Sequence, residues 1–142
     1  MPTTPNWDEY FIDLATAIAR KSKDTTAVGC VIVGPDNEMR SCGWNGFSRG
    51  VKDLEERMVR PDKYDWTIHA EANAVANAAR VGISLNECRA YVTHFCCSSC
   101  ADMLIQSGIC EVVVGGGQTV SDHKQDLASI KFEEAGVKVR KI

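Results

Sequence analysis

The sequence of 142 residues lacks the features that mark several specialised classes of protein. It contains no apolar run long enough to span a bilayer, and no early apolar stretch flanked by basic residues and a small-residue cleavage site. It also contains no run of lysine and arginine, and its net charge of −3 argues against a strong grip on a polynucleotide backbone. Repeats and low-complexity segments are absent as well. We therefore expect a cytoplasmic protein with no membrane partner and no nucleic-acid partner, folded as a single domain over residues 1–142.

Cysteine, by contrast, is plentiful, with seven in the chain. This is an odd number without an evenly spaced framework. In a chain without a predicted leader we expect reduced thiols, two or three of which bind a metal. Four others lie in or beside apolar runs and are expected to be small buried hydrophobic residues: Cys30, Cys42, Cys88 and Cys110.

The spacing of apolar residues predicts helices that alternate with strands. The predicted elements are a helix from Trp7 capped by Asn6, strands at 27–33 and 39–44, a helix at 69–81, a strand at 88–93, a helix at 97–106, a strand at 111–114, a helix at about 122–135 and a strand at 137–141. The later strands alternate with helices and are therefore expected to be parallel neighbours. The predicted fold class is α/β, a three-layer α/β/α sandwich around one five-stranded mixed sheet. Between residues 47 and 67 we expect a long polar excursion with a short helical piece near 53–58.

The residues that carry recognisable chemistry are His69, Glu71, Cys97 and Cys100. One imidazole and two thiolates supply three zinc ligands and leave the fourth tetrahedral position open to water, as catalytic zinc sites do. Both pieces are predicted to open helices, where backbone N–H groups lower thiol pKa values and favour the thiolates that zinc needs. Glu71 is not needed as a ligand and is free to move protons. The pattern predicts a catalytic zinc site with a proton carrier beside it.

Two neighbouring residues leave the ligand set open. Cys96 and Cys100 are four residues apart and would also face one metal if the helix began earlier, although the two-residue gap between Cys97 and Cys100 favours Cys97. His94 is a conceivable fourth ligand that would close the site, but we expect it to be a polar strand end near the cleft. A redox pair of thiols is the main rival interpretation of the two cysteines, and it gives no role to the histidine or the glutamate.

Two other stretches have both a functional and a purely structural interpretation. Arg20–Asp24 follows the first helix, and its spacing alone favours a solvated helix end over an anion-binding clamp. Asn45 lies in the glycine-flanked loop Gly43–Gly46, where the backbone can approach a ligand closely, but an asparagine is also an ordinary turn residue.

Seven segments follow the order and approximate spacing of one known family. They are Trp7–Phe11, Arg20–Asp24, Val28–Val33, Gly43–Gly46, His69–Ala74, Cys97–Ala101 and Ala135–Val137. Through them the chain resembles the zinc-dependent deoxycytidylate (dCMP) deaminases, within the wider cytidine deaminase superfamily. The H-x-E and C-x-x-C pieces are specific to that superfamily. The chain departs from the family pattern at Cys96, where the signature has proline, at Trp44, where tyrosine is usual, and at Thr119, which stands about where relatives have a tyrosine near the substrate.

The resemblance implies a role for each matching position. By it, zinc is held by His69, Cys97 and Cys100, and Glu71 shuttles protons. The resemblance further implies nucleotide contacts, with the 5′-phosphate near Ser22 and Lys23, the sugar hydrogen-bonded by Asn45 and the base packed on Val28. It also implies an effector site in the glycine-flanked loop, formed by Gly43, Trp44, Asn45, Gly46 and Arg49.

The activity implied by the resemblance is hydrolytic deamination of dCMP to dUMP and ammonia, with one catalytic Zn²⁺ per chain. Family members are commonly hexamers, activated by dCTP and inhibited by dTTP, and Mg²⁺ would accompany such a triphosphate effector. Two other interpretations stay open: a zinc deaminase of another nucleobase or nucleotide, and a non-catalytic nucleotide-sensing zinc module. The acidic balance argues against a tRNA substrate, and histidine rather than cysteine as first ligand argues against the free-cytidine branch.

Overall fold

A computed structural model describes residues 1–115 and 123–142 of the chain. Its elements, in chain order, are α1 (Trp7–Ala19), β1 (Gly29–Val33), β2 (Met39–Trp44), β3 (Gly46–Phe47), a 3₁₀ turn (Glu55–Arg57), α2 (Lys63–Trp66), β4 (Thr67–Ile68), α3 (Ala70–Val81), β5 (Arg89–Val92), α4 (Ser98–Gln106), β6 (Glu111–Val114), α5 (His123–Ala135) and β7 (Lys138–Lys141). All nine predicted helices and strands are present, and their order is confirmed.

Five of the strands form one mixed sheet in the order β2-β1-β5-β6-β7. Strand β1 is antiparallel to both of its neighbours, β2 and β5. Strands β5, β6 and β7 run parallel to one another, as expected for strands joined through helices. The predicted five-stranded mixed sheet with parallel later strands is therefore confirmed.

Helices cover both faces of this sheet. Because successive side chains of a strand point to opposite faces, β1 divides its apolar residues between two cores. Val31 and Val33 pack with Phe11 of α1 on one face, whereas Cys30 and Ile32 belong to a core shared with α3, α4 and α5 on the other. The result is the predicted three-layer arrangement, in which α1 lies on one face of the sheet and α3, α4 and α5 lie on the other.

The helix ends follow the local sequence. The Asn6 side chain accepts a hydrogen bond of 2.8 Å from the backbone N–H of Glu9, which caps α1 as predicted. Helix α3 ends at Gly82, whose φ of 77° places it in the left-handed region that glycine adopts without strain.

Helix α3 packs directly on β2 through a residue without a side chain. A Cβ on Gly43 would lie 2.5 Å from the backbone nitrogen of Ala74 and 2.6 Å from the carbonyl oxygen of Ala70. Two asparagines of α3 fix the same contact, since Asn73 and Asn77 each donate a side-chain hydrogen bond of 2.8 Å to a carbonyl of β2. The start of α3 is thereby held against the sheet.

The segment from 47 to 67 is more structured than predicted. The expected short helical piece is the 3₁₀ turn Glu55–Arg57, and α2 follows it. Strands β3 and β4 pair antiparallel, with Gly46 opposite Ile68, and so join the two ends of the excursion. Strands of two residues are too short to produce a periodic pattern, which is why the sequence does not predict them.

The expectation for the four non-ligand cysteines holds only in part. Cys30 and Cys88 are buried and Cys42 is half-buried, but Cys110 is exposed, so its predicted burial is wrong. Cys110 precedes β6, and its thiol donates long hydrogen bonds of 3.4 Å to the carbonyls of Glu87 and Cys88. Within the described part of the chain, no helix has both the length and the apolar character needed to cross a membrane.

Candidate active site

The predicted ligand residues meet where two helices begin side by side. His69 is the N-cap residue of α3, and Cys97 is the N-cap residue of α4. Cys100 lies in the first turn of α4. The Nδ1 atom of His69 lies 3.4 Å from the Sγ of Cys97 and 3.3 Å from the Sγ of Cys100. In the described residues these three form the single group of donor atoms suited to a metal, all within 4.8 Å of one another.

The separations between these donor atoms fit a zinc ion. With Zn–S bonds of about 2.3 Å and Zn–N bonds of about 2.0–2.1 Å, tetrahedral geometry puts nitrogen and sulfur ligands about 3.5–3.6 Å apart. The observed nitrogen–sulfur distances of 3.3 and 3.4 Å are within a few tenths of an ångström of that value. One imidazole and two thiols are also ligands that zinc prefers, and they leave a fourth position.

The electrostatics of the three neighbouring cysteines separate their roles. Hydrogen bonds with Cys100 and His69 lower the pKa of the Cys97 thiol to about 3. The pKa of Cys100 is raised by its hydrogen bond with Cys97 and by burial. Burial also raises the pKa of Cys96, which is 3% exposed and stays a neutral thiol. The measured distances agree with this separation, since the thiol of Cys97 lies 3.4 Å from the Nδ1 of His69 and Cys96 is not in the donor group.

Glu71 is a buried carboxyl next to this group. It lies in the first turn of α3, two residues after His69, and only 3% of it is exposed. Burial raises its pKa, against the lowering effects of its own backbone N–H, the charge of His69 and a hydrogen bond with Cys100. A raised pKa favours the proton-carrying form of the carboxyl, which suits a group that takes up and releases a proton in turn.

A cavity of about 280 Å³ opens onto this group. This volume is just below that of typical ligand cavities, which is about 300–1,000 Å³. The cavity is lined by Asp24, Thr26, Val28, Asn45, Arg60, Lys63, Tyr64, Thr67, His69, Ala70, Glu71, His94, Phe95, Cys96, Cys97 and Gln125. A molecule of small size can therefore reach the metal-ligand group and the carboxyl at once.

Of the four predicted nucleotide contacts, two line this cavity. Val28 and Asn45 are on its wall. Asn45 is 7% exposed. Its side-chain amide links two backbone groups: it accepts a hydrogen bond of 2.9 Å from the N–H of Val28 and donates one of 2.8 Å to the carbonyl of Thr26. Its amide still has a second hydrogen and a second lone pair for a ligand.

The other two predicted contacts are not on the wall of this cavity. The Ser22 hydroxyl donates a hydrogen bond of 2.8 Å to the carbonyl of Asn45, so Ser22 supports Asn45 from behind. Lys23 forms an ion pair with Asp53 and lines an adjacent cavity of about 380 Å³. The two cavities share the wall residues Asp24, Asn45 and Thr67.

The predicted effector residues divide between cavities. Gly43, Trp44, Gly46 and Arg49 line a third cavity of about 340 Å³ between β2 and α3, which also contains Arg80. Asn45 is not on its wall. Arg49 donates a hydrogen bond of 2.7 Å to the side chain of Asn77, while Gly43 faces the helix backbone. Thr119 lies outside the described residues.

Several wall residues were missed by reasoning from the sequence. Arg60, Lys63 and Tyr64 come from the polar excursion, where no periodic pattern gave them a predicted place. Asp24 belongs to the segment Arg20–Asp24, for which the sequence offers a solvated helix end and an anion-binding clamp. His94 is on the wall as predicted, and its Nδ1 lies 3.3 Å from the hydroxyl of Thr93 rather than in the metal-ligand group.

The chain is similar to known proteins in sequence and in fold. Residues 5–116 match the family model of the cytidine and deoxycytidylate deaminase zinc-binding region. Deoxycytidylate deaminase of Homo sapiens is 34% identical, over 95% of this chain and 79% of the human protein. An uncharacterised deaminase of Aliivibrio fischeri is 41% identical, over 94% of this chain and 91% of that protein. The dCMP deaminase of cyanophage S-TIM5, in complex with dCMP and dUMP, has the same fold, with a TM-score of 0.80, 24% identity, and coverage of 99% of this chain and 100% of that one.

Proposed function

The chain belongs to the cytidine and deoxycytidylate deaminase zinc-binding family, and from that premise we propose that it hydrolyses dCMP to dUMP and ammonia. The observation that carries the proposal is the buried carboxyl of Glu71 beside the His69, Cys97 and Cys100 donor group on the wall of one small cavity. Deoxycytidylate deaminases among its relatives support dCMP as the substrate. We further propose that residues 1–142 act as a single catalytic domain.

His69, Cys97 and Cys100 are the proposed ligands of one catalytic zinc ion. Their chemistry and their donor separations fit that metal, and a three-ligand site keeps a position for water. Zinc bound there supplies a Lewis acid that lowers the pKa of water towards neutrality. The N-cap positions of His69 and Cys97 keep both ligands on rigid helix ends rather than on loops.

Glu71 is the proposed proton carrier. Its carboxylate takes a proton from the attacking water and delivers it to N3 of the cytosine ring, so that the water oxygen bonds to C4. It then carries the proton of the new C4 hydroxyl to the exocyclic amino group. The C4–N bond breaks as the C4=O double bond forms, and ammonia leaves. One carboxyl thus serves as base and as acid in turn, which its raised pKa allows. In the same cavity Val28 would pack on the base and Asn45 would hydrogen-bond the sugar.

The reaction is tested by ammonia release from purified protein with dCMP, deoxycytidine and dCTP as alternative substrates. We expect dCMP to be turned over with the highest kcat/KM. A preference for another base or for the free nucleoside would contradict the substrate assignment. Absence of ammonia release from every substrate, with zinc bound, would indicate the non-catalytic sensing module instead.

The role of Glu71 is tested by Glu71→Ala. We expect the variant to keep its zinc and to lose turnover by at least the roughly 10²- to 10⁴-fold typical of general acid–base catalysis. Substantial residual activity would contradict the role.

The ligand assignment is tested by a matched pair of variants. Cys97→Ala should lose zinc, measured as metal per chain, while Cys96→Ala should keep it because Cys96 is a buried neutral thiol. If Cys96→Ala lost zinc and Cys97→Ala kept it, Cys96 rather than Cys97 would be the ligand.

Regulation belongs to the same proposal. We propose that dCTP activates and dTTP inhibits the enzyme, that Mg²⁺ accompanies the triphosphate, and that the chain assembles as a hexamer. The cavity between β2 and α3 supports an effector site, since Arg49 and Arg80 give it two cations beside the half-exposed ring of Trp44. Initial rates with each triphosphate, with and without Mg²⁺, test the regulation, and light scattering of the purified protein tests the assembly. Rates that respond to neither triphosphate would refute the effector site.

A further inference from the structure

The cations on the wall of the active-site cavity differ from the one suggested by family resemblance. Lys23, the expected neighbour of the 5′-phosphate, is paired with Asp53 on the adjacent cavity. The cavity that contains Glu71 is instead lined by Arg60 and Lys63. Both precede the catalytic helix α3 in the excursion between β3 and β4.

Lys63 forms an ion pair with Asp24. Its ammonium lies 3.1 Å from a carboxylate oxygen of Asp24, and the two side chains are only 9% and 12% exposed. A nearly buried ion pair of this kind fixes geometry, because neither partner can turn away without leaving the other unpaired. The pair ties α2 to the segment that follows α1, and the backbone N–H of Lys63 also bonds the carbonyl of Val59 at 2.9 Å. Lys63 is therefore an anchor for this part of the wall.

Arg60 sits on that anchored segment with its charge unmatched. In the described ranges 1–115 and 123–142, its guanidinium forms no ion pair with a carboxylate. The guanidinium carbon lies 6.0 Å from the centre of the Tyr64 ring. The residue is exposed on one side and lines the cavity on the other. Since Lys63 and Asp24 cancel one another, Arg60 supplies the uncompensated positive charge of the wall outside the metal-ligand group.

We propose that Arg60 binds the 5′-phosphate of the substrate and is the residue that makes the enzyme prefer a nucleoside monophosphate to the free nucleoside. The proposal rests on the function proposed above. A phosphate monoester carries a charge of about −1.5 to −2 near pH 7 and three acceptor oxygens, and the planar guanidinium fork can donate two parallel hydrogen bonds to it. Lys63 is the positioning residue that keeps the segment carrying Arg60 in place.

The test compares kcat/KM for dCMP with kcat/KM for deoxycytidine in the same preparations. In Arg60→Gln we expect the ratio of the two values to fall about 10- to 100-fold, the effect of removing hydrogen bonds to a charged group. Arg60→Lys, which keeps the charge but loses the fork, should fall between the wild type and Arg60→Gln. The matched control is Arg57→Gln on the same segment, because Arg57 covers the ring of Trp66 and is absent from the cavity wall.

A second readout measures binding without turnover. Deoxyribose 5-phosphate should compete with deoxycytidine in the wild type, and its inhibition constant should rise by a similar factor in Arg60→Gln while changing little in Arg57→Gln. An unchanged substrate ratio and an unchanged inhibition constant in Arg60→Gln would overturn the proposal. An equal fall in both control and test variants would assign the effect to the shape of the segment instead and would also overturn it.

Failure of the proposed function gives a different result. In that case the wild type itself would show no preference for dCMP over deoxycytidine, before any variant is compared. A wild type that prefers dCMP while Arg60→Gln keeps the full preference would refute only the role of Arg60. Because Arg60 is exposed, both of its variants should fold, and their melting temperatures check this.

Discussion

Substitution of Gly43 should damage the active site although Gly43 belongs neither to the metal-ligand group nor to the wall of the cavity that contains Glu71. A Cβ at this position would lie 2.5 Å from the backbone nitrogen of Ala74 and 2.6 Å from the carbonyl oxygen of Ala70. Carbon atoms in van der Waals contact are about 3.5–4.0 Å from their neighbours, so α3 must withdraw from β2 by about 1 Å in Gly43→Ala. The helix would take His69 and Glu71 with it, away from the two thiols on α4.

The size of the effect follows from that displacement. Overpacking in a core costs about 1–3 kcal/mol, and a shift of about 1 Å in a reacting group can lower turnover about 10²-fold. We expect Gly43→Ala to lose stability in urea unfolding by this amount and to lose most of its kcat for dCMP.

A neighbouring glycine provides the control for stability. A Cβ on Gly46 would meet only side-chain atoms of Trp44 at 3.9 Å, an ordinary contact, so Gly46→Ala should change the free energy of unfolding by less than about 0.5 kcal/mol. If Gly43→Ala unfolded at the wild-type urea concentration and kept the wild-type kcat, the close packing of α3 on β2 would not position the site as described.

Three further predictions concern buried or paired polar groups. Asn45→Ala removes the side chain that satisfies two backbone groups, and urea unfolding should show a loss of about 1–3 kcal/mol, whereas an unchanged unfolding curve would show that water replaces the amide. Lys63→Met leaves the nearly buried carboxylate of Asp24 without its cation and should cost up to about 3–5 kcal/mol in the same assay, and the double variant with Asp24→Asn should recover part of this loss. The Arg140 guanidinium holds the pKa of Asp8 below its usual value, so this carboxylate contributes stability above the ordinary carboxyl range near pH 4, and the contribution is lost as pH falls through the lowered folded-state pKa. The difference in stability between the wild type and Asp8→Asn should therefore be constant at pH 6–7 and shrink below about pH 4, and a difference independent of pH would contradict the coupling.

The ligand group was the part of the site most accessible from sequence. The spacing of Cys97 and Cys100 puts both at the start of one helix, and His69 is at the start of another. The position of the two thiols relative to each other therefore follows from the local sequence. The choice between Cys96 and Cys97 needed the point at which α4 begins. Once Cys97 is the N-cap residue, Cys96 points into the core.

The proposed phosphate contact of Arg60 was less accessible from sequence because it depends on how an irregular segment returns to the sheet. Nothing in the spacing of Arg60 indicates that it lines the cavity, since its place depends on the Lys63–Asp24 pair between residues far apart in the chain. Gly43 illustrates the reverse case. Glycine in that loop was expected to let the backbone approach a ligand, and what it allows is the close approach of a helix.

The two edges of the sheet are both protected against the addition of a further strand. Along β2, amide groups of Asn73 and Asn77 occupy carbonyls that an incoming peptide would need, and along β7 the exposed side chains of Lys138 and Lys141 repel another cationic edge. Both features disfavour pairing of the sheet edge of one copy with the sheet edge of another. The same protection disfavours growth of the sheet into fibrils.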